Sequence, residues 1–328
     1  MCSRVRRCLS EPSGSVSLVT AIGIFVLLGF IGLALDVAHI VMVKSELQKA
    51  ADAGAMAGAR GLWPLVLPVT GSTTPRNPDC AAGALAAQLT AHNNRVDGSY
   101  LATDSEITVE VGRWDYASKT FTAGCTTTSN AARVSTRRNG VVMLFAKIFG
   151  ISTTDLSATA TAVMDFASAV GKGSLPIALD KEFTTPGAVV KISMNPDTVD
   201  NGGWFVDPPD KASAATIRDY ITKDICPALN IGDIINLQNG VDGSVLAALK
   251  DELATHPGGW DTFLPVVDTP KFNQQQPITA FVPFRITEVS NTGSDKYVKG
   301  MVLNMMDMPS ALPGGPNYGA LAPPKAVR

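Results

Sequence analysis

Apolar positions recur along this chain with three different rhythms, and each rhythm predicts a different kind of element. From Pro12 to Leu35 no residue is charged, and Val16, Leu18, Val19, Ile22, Phe25, Leu28 and Phe30 leave no polar side. A helix through this run reaches about 36 Å, against about 30 Å for the hydrocarbon core of a bilayer, so it is long enough to span. Helical spacing continues over Val37–Leu62, where Val41, Val43 and Leu47 mix with Lys44, Glu46, Gln48 and Lys49, until Trp63-Pro64 ends it. A turn-rich stretch follows. A short helix is then expected from about Cys80 to Asn93, with Leu85, Leu89 and the intervening alanines on one side.

Period-two alternation begins at Ile107, Val109 and Val111 and predicts a half-buried strand; a second strand is expected over Ala132–Arg138. Val141, Val142, Leu144, Phe145, Ile148 and Phe149 return to helical spacing with Gly150 as a cap. Leu156, Ala158, Ala160, Ala162 and Met164 alternate again. The order helix, strand, strand, helix, strand suggests a small antiparallel sheet carrying helices on one face, a pilin-like plan. Residues 167–174 are small and glycine-containing and read as a join to a second domain. Its strand candidates are Leu175–Leu179, Val189–Met194, Ile231–Leu237, Phe263–Val267, Ile278–Val289 and Tyr297–Met305, and its helix candidates Ala212–Asp224 and Ser244–Ala254. The fold class is therefore α+β: a cytoplasmic basic N-terminus (1–14), a transmembrane helix and its continuation (15–62), a linker (63–78), a pilin-like domain (79–166), a β-rich barrel or sandwich (167–306) and a flexible Pro/Gly-rich tail (307–328).

Composition narrows the partners. Charged residues make up 17% of the chain, below the roughly 25% of ordinary soluble domains. The formal net charge is -2, which gives no surplus to neutralise a phosphate backbone, so nucleic acid is not an expected partner. Arg4, Arg6 and Arg7 precede the apolar run and Asp36 ends it, so the positive-inside rule puts the N-terminus in the cytoplasm and the bulk of the chain outside. The run is too long for the core of a cleaved signal peptide and is read as an uncleaved anchor in the lipid bilayer. Arg6, Arg7, Asp36 and His39 mark the membrane boundaries, and Asp36 and His39, one turn apart, are positioned to pair. Farther up the helix, Ala50, Ala51, Gly54, Ala55 and Gly58 form a surface almost free of bulk, which another helix can approach closely. Both packing within its own domain and self-association are open to that face.

Five cysteines are present. Cys2 and Cys8 fall on the reducing side, while Cys80, Cys125 and Cys226 face an oxidising compartment. A Cys80–Cys125 bridge is favoured because both lie in the first outer domain, although Cys226 could pair with either or stay free; the closed loop is worth about 4 kcal/mol in the chain-entropy model. Cys226 with His256 is the one obvious nucleophile and base, and a buried or bridged cysteine with a turn histidine is the favoured reading. The chain has no Gly-x-Ser-x-Gly elbow, no phosphate-binding glycine loop and no His-Glu-x-x-His, so no catalytic, metal or cofactor residues are assigned. Trp204 and Trp260 sit beside glycines, as binding anchors or as lids over a small core.

Three blocks of sequence resemble the N-terminus of TadG-like proteins, of the TadE/TadG group of Flp (Tad) pilus assembly: Gly14-Ser15-Val16-Ser17, Gly32-Leu33-Ala34-Leu35-Asp36-Val37-Ala38-His39, and Glu46 to Ala59. The likeness continues more loosely through Val109–Asp115, Asn130–Arg138, Leu144–Gly150 and Ser157–Ala162. It implies a single-pass inner-membrane protein whose outer domain works with pilus or secretion components. Two departures matter. Longer TadG-like members carry a von Willebrand A domain with an Asp-x-Ser-x-Ser metal site, whereas Asp97-Gly98-Ser99 and Asp242-Gly243-Ser244 are followed by Leu101 and Leu246 at the last required position. Processed pseudopilins have Glu five residues after the cut; after Gly14 that position is Val19. The competing readings are an anchored binding module or adhesin unrelated to pili and, behind it, an anchored hydrolase.

Overall fold

The computed structural model of the chain describes residues 12–64, 76–193, 201–210, 213–240, 243–293 and 295–327. Arg6, Arg7 and most of the linker at 63–78 lie outside the described residues.

One helix, α1 (Pro12–Gly61), carries the first two rhythms without a break. Its first part is bare: Val16, Leu18, Ile22, Phe25, Leu28 and Phe30 each expose more than half their surface. Among the described residues, α1 is the one helix long and apolar enough to cross a membrane by length and composition. Its second part buries Val43, Leu47, Ala50, Ala51, Ala55, Ala59 and Leu62, a stripe at three- and four-residue spacing that faces a core.

That core is closed by α2 (Cys80–His92), whose N-terminus is capped by Asp79, the carboxylate accepting from the Ala82 amide at 2.9 Å. The side expected to hold Leu85, Leu89 and the intervening alanines together is divided in the structure. Gly83, Ala87 and Ala91 are buried, while Leu85 and Leu89 point to solvent. A leucine on the inner side would not fit, because the two helices touch almost backbone to backbone: a Cβ built on Gly83 would lie 3.0 Å from the Gly58 carbonyl oxygen.

Both helices pack on one face of a five-stranded antiparallel sheet. Its order is Lys325–Val327, Thr153–Val163, Ala131–Val142, Ile107–Asp115 and Thr120–Ala123. Register puts Val109 opposite Val134 and Val134 opposite Ala160, so the alternation read in the sequence forms one row beneath α1. Ala158, Ala160 and Ala162 leave room there for a helix to lie close. The helix expected over Val141–Phe149 does not form. Val141 and Val142 continue the strand by pairing with Thr154 and Thr153, and only a single 3-10 turn remains at Ala146–Phe149, closed by Gly150 at φ 83°.

The rest of the chain builds an eight-stranded mixed sheet in the order Gln275–Pro277, Ile234–Gln238, Gly202–Val206, Ile177–Asp180, Trp260–Val267, Ala280–Ser290, Tyr297–Val302 and Val189–Ser193. α3 (Ala214–Thr222) and α4 (Gly243–Ala254) bury Ile217, Ile221, Val245, Leu246 and Leu249 in its core, with Phe205, Phe281 and Phe284. The strand Gly202–Val206 was not expected; its two leading glycines read as a loop, yet they sit where a Cβ would strike the Ala178 and Gln238 carbonyls of the flanking strands. Trp204 is therefore a buried strand residue and not a surface anchor.

A third, small sheet lies between the two cores. Phe166–Val170, in the segment read as the start of a join, is a strand that pairs with Leu229–Asn230, Leu312–Gly315 and Leu321. Phe166 belongs to the first core and its neighbour Ala167 to the second, as strand alternation requires. The expectation of a flexible tail over 307–328 is likewise corrected: Met308, Ala311, Ala320, Leu321 and Ala322 are buried, and Lys325–Val327 pairs with Thr161–Val163. Proline bars helix here but not extended backbone.

Two measurements check the packing. Gly58→Leu should destabilise the detergent-solubilised full chain by about 1–3 kcal/mol through overpacking, because a Cβ at Gly58 already lies 2.8 Å from Ala87 and Ala132. Gly29→Leu, with nothing within 4 Å, should leave the thermal midpoint where it is. Replacing both Cys80 and Cys125 with Ser should lower stability by about 4 kcal/mol, read as a matching shift in the denaturant midpoint.

Candidate functional site

The chemistry of this molecule concentrates where α1 leaves its apolar stretch. Asp36 ends the uncharged run yet is only 4% exposed. Its carboxylate accepts from the amides of Leu144 (2.8 Å), Phe145 (2.9 Å) and Ala146 (2.6 Å). These are unsatisfied donors at the start of the Ala146–Phe149 turn, and an anion there is held by charge-assisted hydrogen bonds. One turn earlier on α1, Gly32 makes room for the Phe145 ring, which a Cβ would overlap.

His39 does not pair with Asp36. Its Nε2 lies 3.0 Å from Asp97 Oδ1, and the Asp97 amide donates to Glu46 Oε2 at 2.8 Å. Asp97 and Gly98, both at positive φ, form the two-residue turn between the short strands Arg95–Val96 and Ser99–Tyr100. Arg138 secures the same hairpin, bonding Glu106 at 2.9 Å and the Val96 carbonyl at 2.7 Å. Farther along α1, Thr136 donates to the Leu47 carbonyl, Arg60 pairs with Asp307, and the Trp63 indole donates to the Met164 carbonyl. From Gly32 to Trp63 the helix is fastened to the outer domain along its length.

The small face is filled from within the chain. A Cβ on Gly54 would meet Ala91 at 3.0 Å, and Ala50, Ala51 and Ala55 are buried in the same core. Of the two readings open to this face, the structure has packing within the domain, on α2 and the sheet.

Cys80, the first residue of α2, is bridged to Cys125, with Cα atoms 6.1 Å apart. Cys226 is a free thiol, fully buried, 3.0 Å from the Ser174 hydroxyl, and burial pushes its pKa up to about 12. His256 is elsewhere engaged, its Nδ1 3.0 Å from the Glu252 carbonyl oxygen and its ring stacked on Trp260 at 5.0 Å. Nucleophile chemistry needs a thiolate near its base; this thiol is held protonated and the two side chains have separate partners. Among the described residues no group of three or more His, Cys, Asp or Glu side chains is arranged to hold a metal.

A cleft of about 400 Å³ lies beside the small sheet and includes Trp63, Arg113, Tyr116, Asn130 and Asp165 in its lining. Burial pushes the Asp165 carboxyl up, against hydrogen bonds from the Asn130 amide (2.8 Å) and the Phe166 N–H (2.9 Å) that lower it. Asn130 in turn accepts from the Trp114 amide. Asp165 and Asn130 thereby tie the start of the strand Phe166–Val170 to Trp114 of the first sheet.

Sequence reasoning missed the joint between Asp36 and the turn at 144–146. The signal was present in the bulky apolar residues around Lys147, which were read as a core helix.

Residues 14–61 match a family described as putative Flp pilus-assembly TadE/G-like, and residues 70–162 match one described as putative Tad-like Flp pilus-assembly. No curated protein and no solved structure matches. The first match ends with α1, and the second takes in α2 and four strands of the first sheet, the last of them but for Val163, which are the elements that Asp36, the small face and the disulfide tie together. On these two matches in sequence order, residues 14–61 and 70–162 are TadE/TadG-like, of the Flp (Tad) pilus-assembly type.

Proposed function

We propose that this protein is a membrane-anchored structural component of a Tad (Flp) pilus or related secretion apparatus, acting by contacts with other proteins of that apparatus and not by catalysis. The observation that carries this reading is the fastening of α1. The same helix that is apolar over Val16–Leu35, and bare over Val16–Ile31, is bonded to the outer domain at Asp36, His39, Glu46 and Leu47, and just past its end at Trp63. A helix held so often cannot hinge independently, so a load on the outer domain passes straight to the membrane segment.

The charge pattern supports an inner-membrane, single-pass arrangement with the N-terminus cytoplasmic and the bulk of the chain periplasmic or extracellular. The Cys80–Cys125 bridge fits an oxidising compartment for the outer domain. The second unit, from about residue 167, lies outside both family matches and is the part free to make contacts of its own.

Cross-linking on intact cells, followed by affinity purification and mass spectrometry, tests the assignment. Recovery of pilins, a secretin or other Tad components is expected; recovery of none, with the protein expressed and the cross-linker active, would favour an anchored binding module. Two further outcomes follow from the geometry. Asp36→Asn should cost about 2 kcal/mol through loss of charge-assisted bonds and speed hydrogen exchange at the amides of Leu144–Ala146, with the strand Ile107–Asp115 unchanged. Cys226 should resist thiol reagents in the folded chain and react only on unfolding, and Cys226→Ala should leave pilus assembly intact.

A further inference from the structure

We propose that the turn at residues 144–151 is a second membrane-contact point, seated at the lipid interface beside α1. This rests on the reading that α1 crosses a bilayer.

The turn is an anomaly for a surface in water. Leu144, Ile148, Phe149 and Ile151 are 68%, 80%, 69% and 55% exposed, a cluster of bulk that soluble surfaces seldom present. Its place on the molecule supplies the occupant. The turn is held at Asp36 by three amides and at Gly32 by the Phe145 ring, so it lies against the last turn of the uncharged run. Ile31 and Leu35 on that last turn of α1 are also exposed. The apolar surface of the turn is thus continuous with the apolar surface of α1, and whatever covers the one at this depth reaches the other.

Its backbone suits lipid as well. A segment entering a low-dielectric phase must bring its own hydrogen-bond partners. The amides of Leu144, Phe145 and Ala146 are taken by Asp36, and those of Met143, Ile148, Gly150 and Ile151 by the carbonyls of Ser152, Phe145, Lys147 and Ala146. Lys147 is the single charge in the turn, on a stem long enough to reach headgroup phosphates. A lone spanning helix leaves the outer domain free to roll about the helix axis; a second contact off that axis fixes which side faces the bilayer.

The test uses the full chain with Cys2 and Cys8 replaced by Ser, reconstituted in phosphatidylcholine and phosphatidylglycerol vesicles. An environment-sensitive fluorophore is attached through Phe149→Cys or, separately, Ile148→Cys, both at exposed positions that the fold does not need. Leu28→Cys reports on α1, and Asp251→Cys, exposed on α4, reports on water. The 148 and 149 probes should be blue-shifted, quenched by shallow doxyl-labelled lipid and shielded from iodide, with the 251 probe open. A water-exposed probe at 28 would defeat the anchor reading itself. A probe at 28 in lipid with those at 148 and 149 open to iodide would overturn the second contact alone. Shielding at 148 and 149 in native membranes but not in pure vesicles would likewise overturn it, assigning the turn to a protein partner.

Discussion

Everything in this molecule depends on one helix living in two surroundings without a break. Over its apolar half, α1 must offer bulk in every direction; over its second half it must nearly vanish, so that α2 and an alanine-lined sheet can close on it. The two demands are met by composition alone. Where Val, Leu, Ile and Phe give way to Ala and Gly, the surroundings change from a medium that wraps the helix to a fold that is built around it. Close approach at Gly54, Gly58 and Gly83 then brings many small contacts into play, which individually are weak and together are the main attachment of the helix.

Polar groups on α1 complement this by fixing the depth and rotation of the helix. Small smooth surfaces slide, and a register specified only by alanines is soft. Asp36 takes hold of the turn at 144–146, His39 and Glu46 together of the hairpin turn at Asp97, and the Thr136 hydroxyl holds the helix to the sheet at Leu47. The division of labour is that small residues give proximity and charged residues give position.

The α+β class and most strands could be read directly, because alternation is a local property and the first sheet presents one face to α1 and the other to water. The errors have a common origin. Leu85 and Leu89 are expected on one side with the intervening alanines, but at a contact this close only Gly83, Ala87 and Ala91 fit inward. Val141–Phe149 has helical spacing, yet Val141 and Val142 are claimed by Thr154 and Thr153, and Leu144, Ile148 and Phe149 face outward. Gly202-Gly203 looked like a loop because the reason for glycine there, two neighbouring carbonyls, is tertiary. For the junction, the sequence reveals that Asp36 ends an apolar run but not what it binds, since its partners lie more than a hundred residues on. Likewise, the spacing of small residues reveals where a helix can be approached, and says nothing about by what.

The strand Lys325–Val327 lies at the edge of the first sheet, beside Thr153–Val163, although the remaining strands of that sheet come from residues 107–163. In the order of synthesis this is a long wait. α1, α2 and four strands are available early, while the fifth place stays empty until the whole eight-stranded unit has been made. During that interval Thr153–Val163 is an open edge, able to accept any extended segment that comes by. The fold thus has a clock in it: the end of that edge at Thr161–Val163 closes only when residue 327 has arrived, and until then the half-made protein is adhesive there.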